Sequence, residues 1–359
     1  MRILVTGNMG YVGPVVVEHL RERFPQAEIW GFDSGIFAHC LTTPGPLPEV
    51  RHLSAQYFGD TRDPPEALLR GTDVVVHLAA ISNDPMGNRF EAVTDEINRG
   101  ASLDIARRAA AAGVRAFVFA SSCSVYGLAA DGPPRRESDP LNPLTAYARS
   151  KIGTEEGLRQ ADNGTMTVTC LRFATACGMS DRLRLDLVLN DFVAGALVSG
   201  RVTVLSDGTP WRPLIAVSDM ARAIEWAALR QPDAGGRFLT VNAGADDWNF
   251  RVRDLAEAVA REIPGTEVSI NPAALPDNRS YRVDFSLFRK LAPDHQPRQT
   301  LSGTIQGLAD GLRAVGFADP VFRESALVRL RVLSGHIEAG RLSPDLRWSA
   351  RQASAKVRA

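Results

Sequence analysis

A tyrosine and a lysine with a spacing of four could carry out acid–base chemistry. Tyr147 and Lys151 lie near the start of a predicted helix, 145–160. A spacing of four places both side chains on one face of a helix. Because a neighbouring ammonium favours the phenolate, Lys151 should lower the pKa of Tyr147. The tyrosine could then act as a base toward a substrate hydroxyl, and as an acid in the reverse direction.

The position of this pair in the chain adds weight to it, because the spacing alone often occurs by chance. The preceding predicted strand, 115–120, ends in Ser121-Ser122-Cys123-Ser124. Hydroxyls at that end of a parallel strand lie at the edge where open α/β sheets bind ligands. A serine of this strand end, Tyr147 and Lys151 would form one site for hydride transfer at a carbinol carbon. Capping or packing at the strand end is the alternative for serines such as Ser121 and Ser124.

The first residues of the chain predict the dinucleotide site that such chemistry needs. Arg2 to Val5 form a short apolar strand, Gly7, Gly10 and Gly13 follow it, and a helix begins near Pro14. The glycines allow a tight turn and a close approach of a pyrophosphate, which the free N–H groups of the helix start would bind. Three glycines are weak evidence by themselves, but the strand and the helix supply the context that the motif requires.

A carboxylate at the end of the second predicted strand indicates which dinucleotide binds. Glu28 to Phe32 form this strand, and Asp33 ends it. An acid about 20 residues beyond the last glycine accepts hydrogen bonds from the adenosine ribose hydroxyls and disfavours a 2′-phosphate, which predicts NAD rather than NADP. The alternative is that Asp33 only begins the turn Asp33-Ser34-Gly35.

The alternation of strands and helices predicts the fold class. Residues 74–80 are an almost unbroken apolar run, which is typical of a strand buried on both faces of a parallel sheet. The loop 81–88 and a helix, 92–112, follow it, and the pattern continues through the strand 167–172. We therefore expect an α/β fold, namely a Rossmann doubly wound parallel sheet with a smaller α/β C-terminal substrate domain.

The domain boundaries follow from a change of rhythm after Arg172, where 182–199 is predicted to be a helix. The predicted NAD-binding Rossmann domain covers 1–172, with 210–243 returning to it. Residues 173–209 and 244–345 form the predicted substrate-binding domain, and the polar segment 346–359 is expected to be a flexible tail. The cleft between the two domains is the expected site.

Composition excludes several classes of function. The 359 residues are 45% hydrophobic and 23% charged, with a net charge of +0, which gives no reason to expect nucleic acid as a partner. No run approaches the roughly 20 apolar residues that span a membrane, and Met1 leads directly into the first strand without a signal peptide. The four cysteines form no CxxC pair and the six histidines show no metal-ligand spacing. These features predict a cytoplasmic protein without a metal.

Taken in order, the motifs resemble those of the extended short-chain dehydrogenases/reductases, in their nucleotide-sugar epimerase and dehydratase branch. The resemblance covers most of the chain, from residue 6 to residue 282. The matching stretches are Thr6-Gly7-x-x-Gly10-x-x-Gly13, Asp33, Gly59-Asp60-x-x-Asp63, His77-Leu78-Ala79-Ala80, Asn98, Ser121-Ser122-x-Ser124-Val125-Tyr126-Gly127, Tyr147-x-x-x-Lys151, Leu171-Arg172 and Asp207-Gly208-Thr209-x-x-Arg212.

The resemblance implies a role for each matching residue, with Ser122, Tyr147 and Lys151 as the catalytic set. It also implies a homodimer built on two helices per subunit. The implied cofactor-binding residues are Gly7, Met9, Gly10, Tyr11, Val12, Gly13, Asp33, Asp60, Thr61, Leu78, Ala79, Ala80, Asn98, Tyr147 and Lys151. The implied substrate-binding residues are Ser82, Ser122, Ser124, Tyr147, Thr175, Arg212, Arg279 and Arg282. Two have structural alternatives: Asn98 as a buried amide, and Arg212 as a cation–π partner of Trp211.

Departures from the family pattern narrow the reaction. Dehydratases of this family carry an Asp-Glu pair directly after the catalytic hydroxyl, whereas this chain has Cys123 and Ser124. Without those carboxylates, dehydration is disfavoured. The epimerases usually have an asparagine where this chain has Thr175, so the sugar stays undefined.

The resulting prediction is an NAD-dependent epimerase that acts at C4 of a nucleotide sugar, most simply a UDP-hexose, through a transient 4-keto intermediate. The alternative is an NAD(P)H-dependent 4-ketoreductase or dehydrogenase of a nucleotide (deoxy)sugar, which would use the same residues. A non-catalytic dinucleotide-sensing protein is disfavoured, because such proteins typically lose the tyrosine or the lysine and this chain keeps both.

Overall fold

The computed structural model describes residues 1–129, 132–271, 273–274 and 280–349. The strands are β1 Arg2–Thr6, β2 Glu28–Asp33, β3 Ala55–Phe58, β4 Val74–His77, β5 Ala116–Ser122, β6 Thr167–Phe173, β7 Thr175–Cys177, β8 Arg201–Val204, β9 Trp211–Ala216, β10 Phe238–Ala243, β11 Asn249–Arg251 and β12 Glu267–Ile270. The α-helices are α1 Gly13–Arg23, α2 Pro48–His52, α3 Asp84–Arg89, α4 Glu91–Asp95, α5 Ser102–Ala111, α6 Ala146–Gln160, α7 Val188–Ser199, α8 Val217–Leu229, α9 Val252–Glu262, α10 Ser286–Leu291, α11 Leu301–Ala314 and α12 Arg329–Glu338.

Seven strands form one parallel sheet in the order β3-β2-β1-β4-β5-β6-β10, with all neighbours parallel. This order, with the first strand in the middle, is that of a Rossmann fold, so the predicted fold class is confirmed. The register pairs Thr6 with His77. The segments that follow β1 and β4 therefore leave the sheet side by side at its carboxyl edge.

The central strands are apolar along their whole length because helices cover both faces of the sheet. In β4, Val74 and Val76 belong to a core cluster shared with α1 and α8, whereas Val75 belongs to a second cluster shared with α5 and α6. Successive side chains of a strand point to opposite faces, so each face has its own core.

The remaining strands form two small sheets. One has three strands in the order β11-β9-β7, and the other pairs β12 with β8. Strand β10 is the edge of the large sheet, whereas β9, from the same segment 210–243, lies in the three-stranded sheet. Within the described part of the chain, no helix is long and apolar enough to cross a bilayer.

Two expectations about local structure are wrong. The helix predicted from residue 182 begins at Val188, because 181–187 form an irregular segment whose polar side chains turn toward other parts of the protein. The tail expected to be flexible from residue 346 is packed through residue 349. Leu346 is only 3% exposed, and the indole N–H of Trp348 donates to the Ser34 carbonyl at 2.6 Å. The remainder, 350–359, lies outside the described residues.

Candidate active site

The turn after β1 lies directly against the segment after β4. Gly7 has a φ of +72°, and a Cβ there would stand 2.5 Å from the backbone nitrogen of Ala79. A larger residue is therefore excluded by both conformation and space. Helix α1 follows at Gly13 and receives no side-chain hydrogen bond from its N-cap residue, Val12. Its first N–H groups are available to a pyrophosphate, as the sequence predicts.

Asp33 ends β2 beside this turn. Its carboxylate accepts hydrogen bonds from the backbone N–H groups of Met9 at 3.0 Å and Gly35 at 2.8 Å. Burial raises the pKa of this carboxyl, and the two N–H donors oppose that rise. An ionised carboxylate has about four acceptor positions. Asp33 therefore keeps capacity for ribose hydroxyls while its orientation is fixed by the turn.

One cavity of ≈ 730 Å³ runs along the carboxyl edge of the large sheet. Its size suits a dinucleotide and a second ligand. The predicted site residues that line it are Gly7, Gly10, Tyr11, Val12, Gly13, Asp33, Asp60, Thr61, Leu78, Ala79, Ala80, Ser82, Ser122, Ser124, Tyr147, Lys151, Thr175 and Arg212. The glycine turn, the ribose acid and the apolar strand end fit NAD.

Ser122, Tyr147 and Lys151 meet in the middle of this cavity. Ser122 is the last residue of β5, its hydroxyl accepts a hydrogen bond from the Ser124 N–H at 3.1 Å, and it lies near enough to Tyr147 to affect the pKa of that phenol. One turn farther along α6, the Lys151 ammonium donates to the Ala120 carbonyl at 2.6 Å and lies 5.6 Å from the centre of the Tyr147 ring. The three side chains thus have the mutual geometry of a proton donor, a proton acceptor and a nearby cation.

The sequence-based expectation that the pKa of Tyr147 is lowered is wrong in this structure. Burial raises the pKa of Tyr147 to about 12, against an opposing effect of the Ser122 hydroxyl. Burial also lowers the pKa of Lys151 to about 8. Desolvation outweighs the lysine charge here, because the ammonium is directed at a backbone carbonyl and stands more than 5 Å from the ring.

A buried ion pair lies behind the predicted catalytic residues. The Arg172 guanidinium on β6 donates to Glu155 on α6 at 2.7 Å and to the Tyr126 hydroxyl at 3.0 Å. Glu155 also accepts a hydrogen bond from the Ser121 hydroxyl. Since Ser121 adjoins Ser122 and Glu155 lies one turn beyond Lys151, this network fixes β5 and α6 relative to each other.

Two of the predicted cofactor residues stand outside the cavity wall. Met9 contributes its backbone N–H to Asp33. Asn98 lies in a π-helical segment, Glu96–Ala101, where it is fully buried. Its amide bonds both backbone groups of Ile81 and donates to the Ser150 hydroxyl. Asn98 therefore positions the loop after β4 against α6, which matches the structural alternative for this residue.

The predicted phosphate-binding arginines differ in placement. Arg212 lines the cavity and donates to the Trp211 carbonyl at 2.9 Å. The cations that stack on the Trp211 ring are Arg251 and Arg282, at 5.1 and 5.2 Å. Arg282 also donates to the Gly132 carbonyl at 2.6 Å and does not line the cavity. Arg279 lies outside the described residues.

Sequence reasoning missed a polar cluster beside Tyr147. Arg184 is bidentate to Asp186 at 2.9 Å and donates to the Ser82 hydroxyl at 2.9 Å. Asn83 donates to the same Asp186 carboxylate at 2.8 Å. All four line the cavity. The alternation of Arg182, Arg184 and Asp186 could have indicated an extended segment, but the helix predicted there concealed it.

The residues after Ser122 have different environments. Cys123 is fully buried, and its thiol donates to the Arg172 carbonyl at 3.1 Å. Ser124 lines the cavity, and its hydroxyl is buried without a hydrogen-bond partner among the described residues. Neither position carries a carboxylate.

The fold and this site define an NAD-binding protein of the short-chain dehydrogenase/reductase kind. The chain belongs to the NAD dependent epimerase/dehydratase family, whose model matches residues 3–244. It is therefore an enzyme with NAD as its cofactor. The family that the sequence motifs resemble is confirmed.

Two curated relatives are 31% identical. One is a Bacillus subtilis (strain 168) protein described as an uncharacterized UDP-glucose epimerase, aligned over 77% of this chain and 88% of its own length. The other is the UDP-glucose 4-epimerase of Streptomyces lividans, aligned over 72% and 80%.

Solved structures show the same fold. A UDP-glucose-4-epimerase from Stenotrophomonas maltophila, with bound NAD and formylated UDP-arabinopyranose, is 23% identical with a TM-score of 0.73 over 88% of this chain and 99% of that chain. An NAD dependent NDP-hexosamine 5,6-dehydratase is 22% identical with a TM-score of 0.73 over 88% and 98%. The fold is therefore common to epimerases and dehydratases, and the reaction must be argued from the site.

Proposed function

We propose that this enzyme is an NAD-dependent epimerase of a nucleotide-activated sugar, acting at C4 of a UDP-hexose through a transient 4-keto sugar. The observation that carries the proposal is the meeting of Ser122, Tyr147 and Lys151 in the cavity that also contains the glycine turn and Asp33. The names of the two relatives at 31% identity support the substrate class.

The groups around Ser122 favour epimerisation over dehydration. Expelling water from a sugar requires a group that removes a proton from carbon and one that protonates the leaving hydroxyl. Two cavity carboxylates near Tyr147 already have partners that fix their orientation. Asp84 accepts the Thr145 hydroxyl at 2.7 Å, and Asp186 is paired with Arg184. Cys123 and Ser124, which take the place of the dehydratase acids, supply a buried thiol and a hydroxyl.

The chain's own residues then handle the proton and the orientation. Tyr147 takes the proton of the 4-hydroxyl and returns it after the sugar has turned, while the Ser122 hydroxyl hydrogen-bonds the reacting oxygen. Lys151 would hold the nicotinamide ribose, and its charge favours the phenolate. NAD, when bound, would supply a reversible hydride acceptor for the sugar carbon. Arg212 supplies a cation for the diphosphate.

Two further expectations stay proposals. The homodimer rests on the family resemblance, and sedimentation of the purified chain tests it. The cytoplasmic location rests on the composition, and fractionation of the source cells tests it.

The deciding experiment uses freshly purified protein without added cofactor. One portion is denatured and its released nicotinamide nucleotide is quantified. Another is incubated with UDP-glucose or UDP-galactose, and the products are separated. We expect retained NAD and interconversion of the two sugars. A requirement for stoichiometric NADH or NADPH would contradict the proposal and favour the 4-ketoreductase, whereas loss of water from the product would favour a dehydratase.

A further inference from the structure

The C-terminal segment 341–349, here called the C-terminal loop, lies over one end of the cavity. Helix α12 leads into it, and an antiparallel bridge between Leu342 and Trp348 closes it. Leu346 at its tip lines the cavity, together with Asp33, Asp60 and Thr61. These three residues belong to the part of the site predicted to hold the adenosine of NAD.

The loop is attached to the segments that carry those residues. The Trp348 indole N–H donates to the carbonyl of Ser34, which adjoins the ribose acid Asp33, at 2.6 Å. Arg347 pairs with Asp63 at 2.7 Å and approaches Asp60 at 3.7 Å. In the other direction, Arg62 donates to the Asp345 carbonyl at 2.8 Å. The loop is thus bonded to the ends of both β2 and β3.

The backbone of the tip is strained. Leu346 has a φ of +58°, and it is the one non-glycine residue with a positive φ in the described part of the chain. A leucine in the left-handed region costs free energy. The conformation is nevertheless maintained by the Leu346 N–H bond to the Ser343 carbonyl at 2.9 Å. It directs the side chain into an apolar cluster with Ile36, Ile81 and Leu333.

We propose that the C-terminal loop forms a wall of the adenosine pocket and that it retains NAD in the enzyme between turnovers. Leu346 belongs to the apolar cluster that backs the adenine end of the cavity, and the bonds of Arg347 and Trp348 hold it in place. An enzyme that returns its hydride to the same sugar has no need to exchange NAD, so slow release is useful. The inference rests on the NAD site and is independent of which sugar reacts.

The test compares variants by the rate at which bound NAD leaves the protein. Leu346→Gly removes the wall while keeping a residue that adopts the left-handed conformation freely. We expect NAD to dissociate about tenfold faster from this variant. Arg347→Ala should accelerate release by a smaller factor, because its ion pair is partly exposed. Arg331→Ala removes a similar exposed ion pair, to Glu324, on the same C-terminal segment, and it should release NAD like the unmodified protein.

Thermal unfolding without NAD shows whether each variant is folded.

A second measurement uses the unmodified chain. Addition of NAD to protein freed of nucleotide should slow hydrogen exchange at the backbone amides of 341–349 severalfold. Unchanged exchange there, or a folded Leu346→Gly variant that releases NAD no faster than Arg331→Ala, would overturn the proposal. Because no sugar is present, neither result depends on the proposed epimerase reaction.

Discussion

The two ends of the cavity are built in different ways. The end of the cavity at the glycine turn, here called the cofactor end, is formed mainly by backbone groups. Gly7, the first turn of α1 and the N–H groups bonded to Asp33 are neighbours at the ends of adjacent strands. At the other end, where we propose that the sugar binds, side chains from irregular segments meet over long sequence separations, as when Arg184 donates to Ser82. We call this the sugar end. The comparison indicates that the predicted cofactor site is encoded locally in the sequence, whereas the proposed sugar site depends on tertiary contacts. Changes at the two ends should therefore have separable effects.

Tyr147 lies between the two ends, and its removal should have the largest effect. Tyr147→Phe takes away the group that transfers the substrate proton but leaves the packing of the ring. We expect turnover to fall by about 10⁴-fold, with the NAD content unchanged. Steady-state kinetics and nucleotide quantification check both.

The control for that variant is Tyr57→Phe, which removes the hydroxyl of a tyrosine 38% exposed on strand β3. It should turn over at the unmodified rate. Near-normal turnover by Tyr147→Phe would refute the assignment of the base.

The buried ion pair between Arg172 and Glu155 lies at neither end of the cavity. Its loss should lower the free energy of unfolding more than the loss of an exposed pair does. Glu155→Gln leaves the buried Arg172 charge without its partner. We expect the free energy of unfolding to fall by about 3 kcal/mol, measured by urea denaturation.

The adjacent residue on the same helix provides a matched control. Glu156→Gln breaks an exposed pair with Arg159, whose side chains are 55% and 58% exposed. This change should cost about 0–1 kcal/mol. Equal losses in the two variants would show that the buried pair has no special role.

Arg184→Ala should disrupt the sugar end alone. It removes the cation that binds Asp186 and Ser82 and leaves the glycine turn intact. We expect kcat/KM for the sugar nucleotide to fall about 100-fold, with NAD retained as in the unmodified protein. Leu346→Gly should show the opposite pattern, with faster loss of NAD. Loss of NAD from Arg184→Ala would contradict the prediction that changes at the two ends have separable effects.

Lys151→Met should displace the pH profile of the reaction, in addition to any loss of contact with the cofactor. The ammonium favours the phenolate, so its removal raises the pKa of Tyr147 further above its value of about 12. Less phenolate then exists at any given pH. The acidic limb of kcat/KM should move to higher pH by about one unit, as a pH–rate series would show. A limb that stays in place or moves to lower pH would contradict an electrostatic role for Lys151.

The cofactor end could be predicted well from the sequence because each of its signals is local. The strand before Gly7, the helix after Gly13 and the acid at residue 33 occur within one short stretch of chain. The fold class followed from the same alternation of strands and helices. Tyr147 and Lys151 followed from their spacing and position, and the family resemblance singled out Ser122.

The remaining features could not be predicted because they depend on what comes together in space. The pKa of Tyr147 is raised by burial, which spacing along a helix does not reveal. The segment with Arg184 has a helical pattern, although Arg182 pairs with Glu49 and Arg184 donates to Ser82, both far away in the sequence. Leu346 and Trp348 are isolated apolar residues in a polar tail without periodicity, so nothing in the pattern indicated that they pack against the cavity.

The central claim is that the hydride removed from C4 of the sugar stays on one bound nicotinamide cofactor and is returned to the same carbon. The most direct measurement is turnover of UDP-glucose deuterated at C4, in ordinary water and without added nucleotide. The account predicts that the epimerised product keeps its deuterium at C4. Loss of the deuterium to water, or its appearance in free reduced nucleotide, would contradict the account.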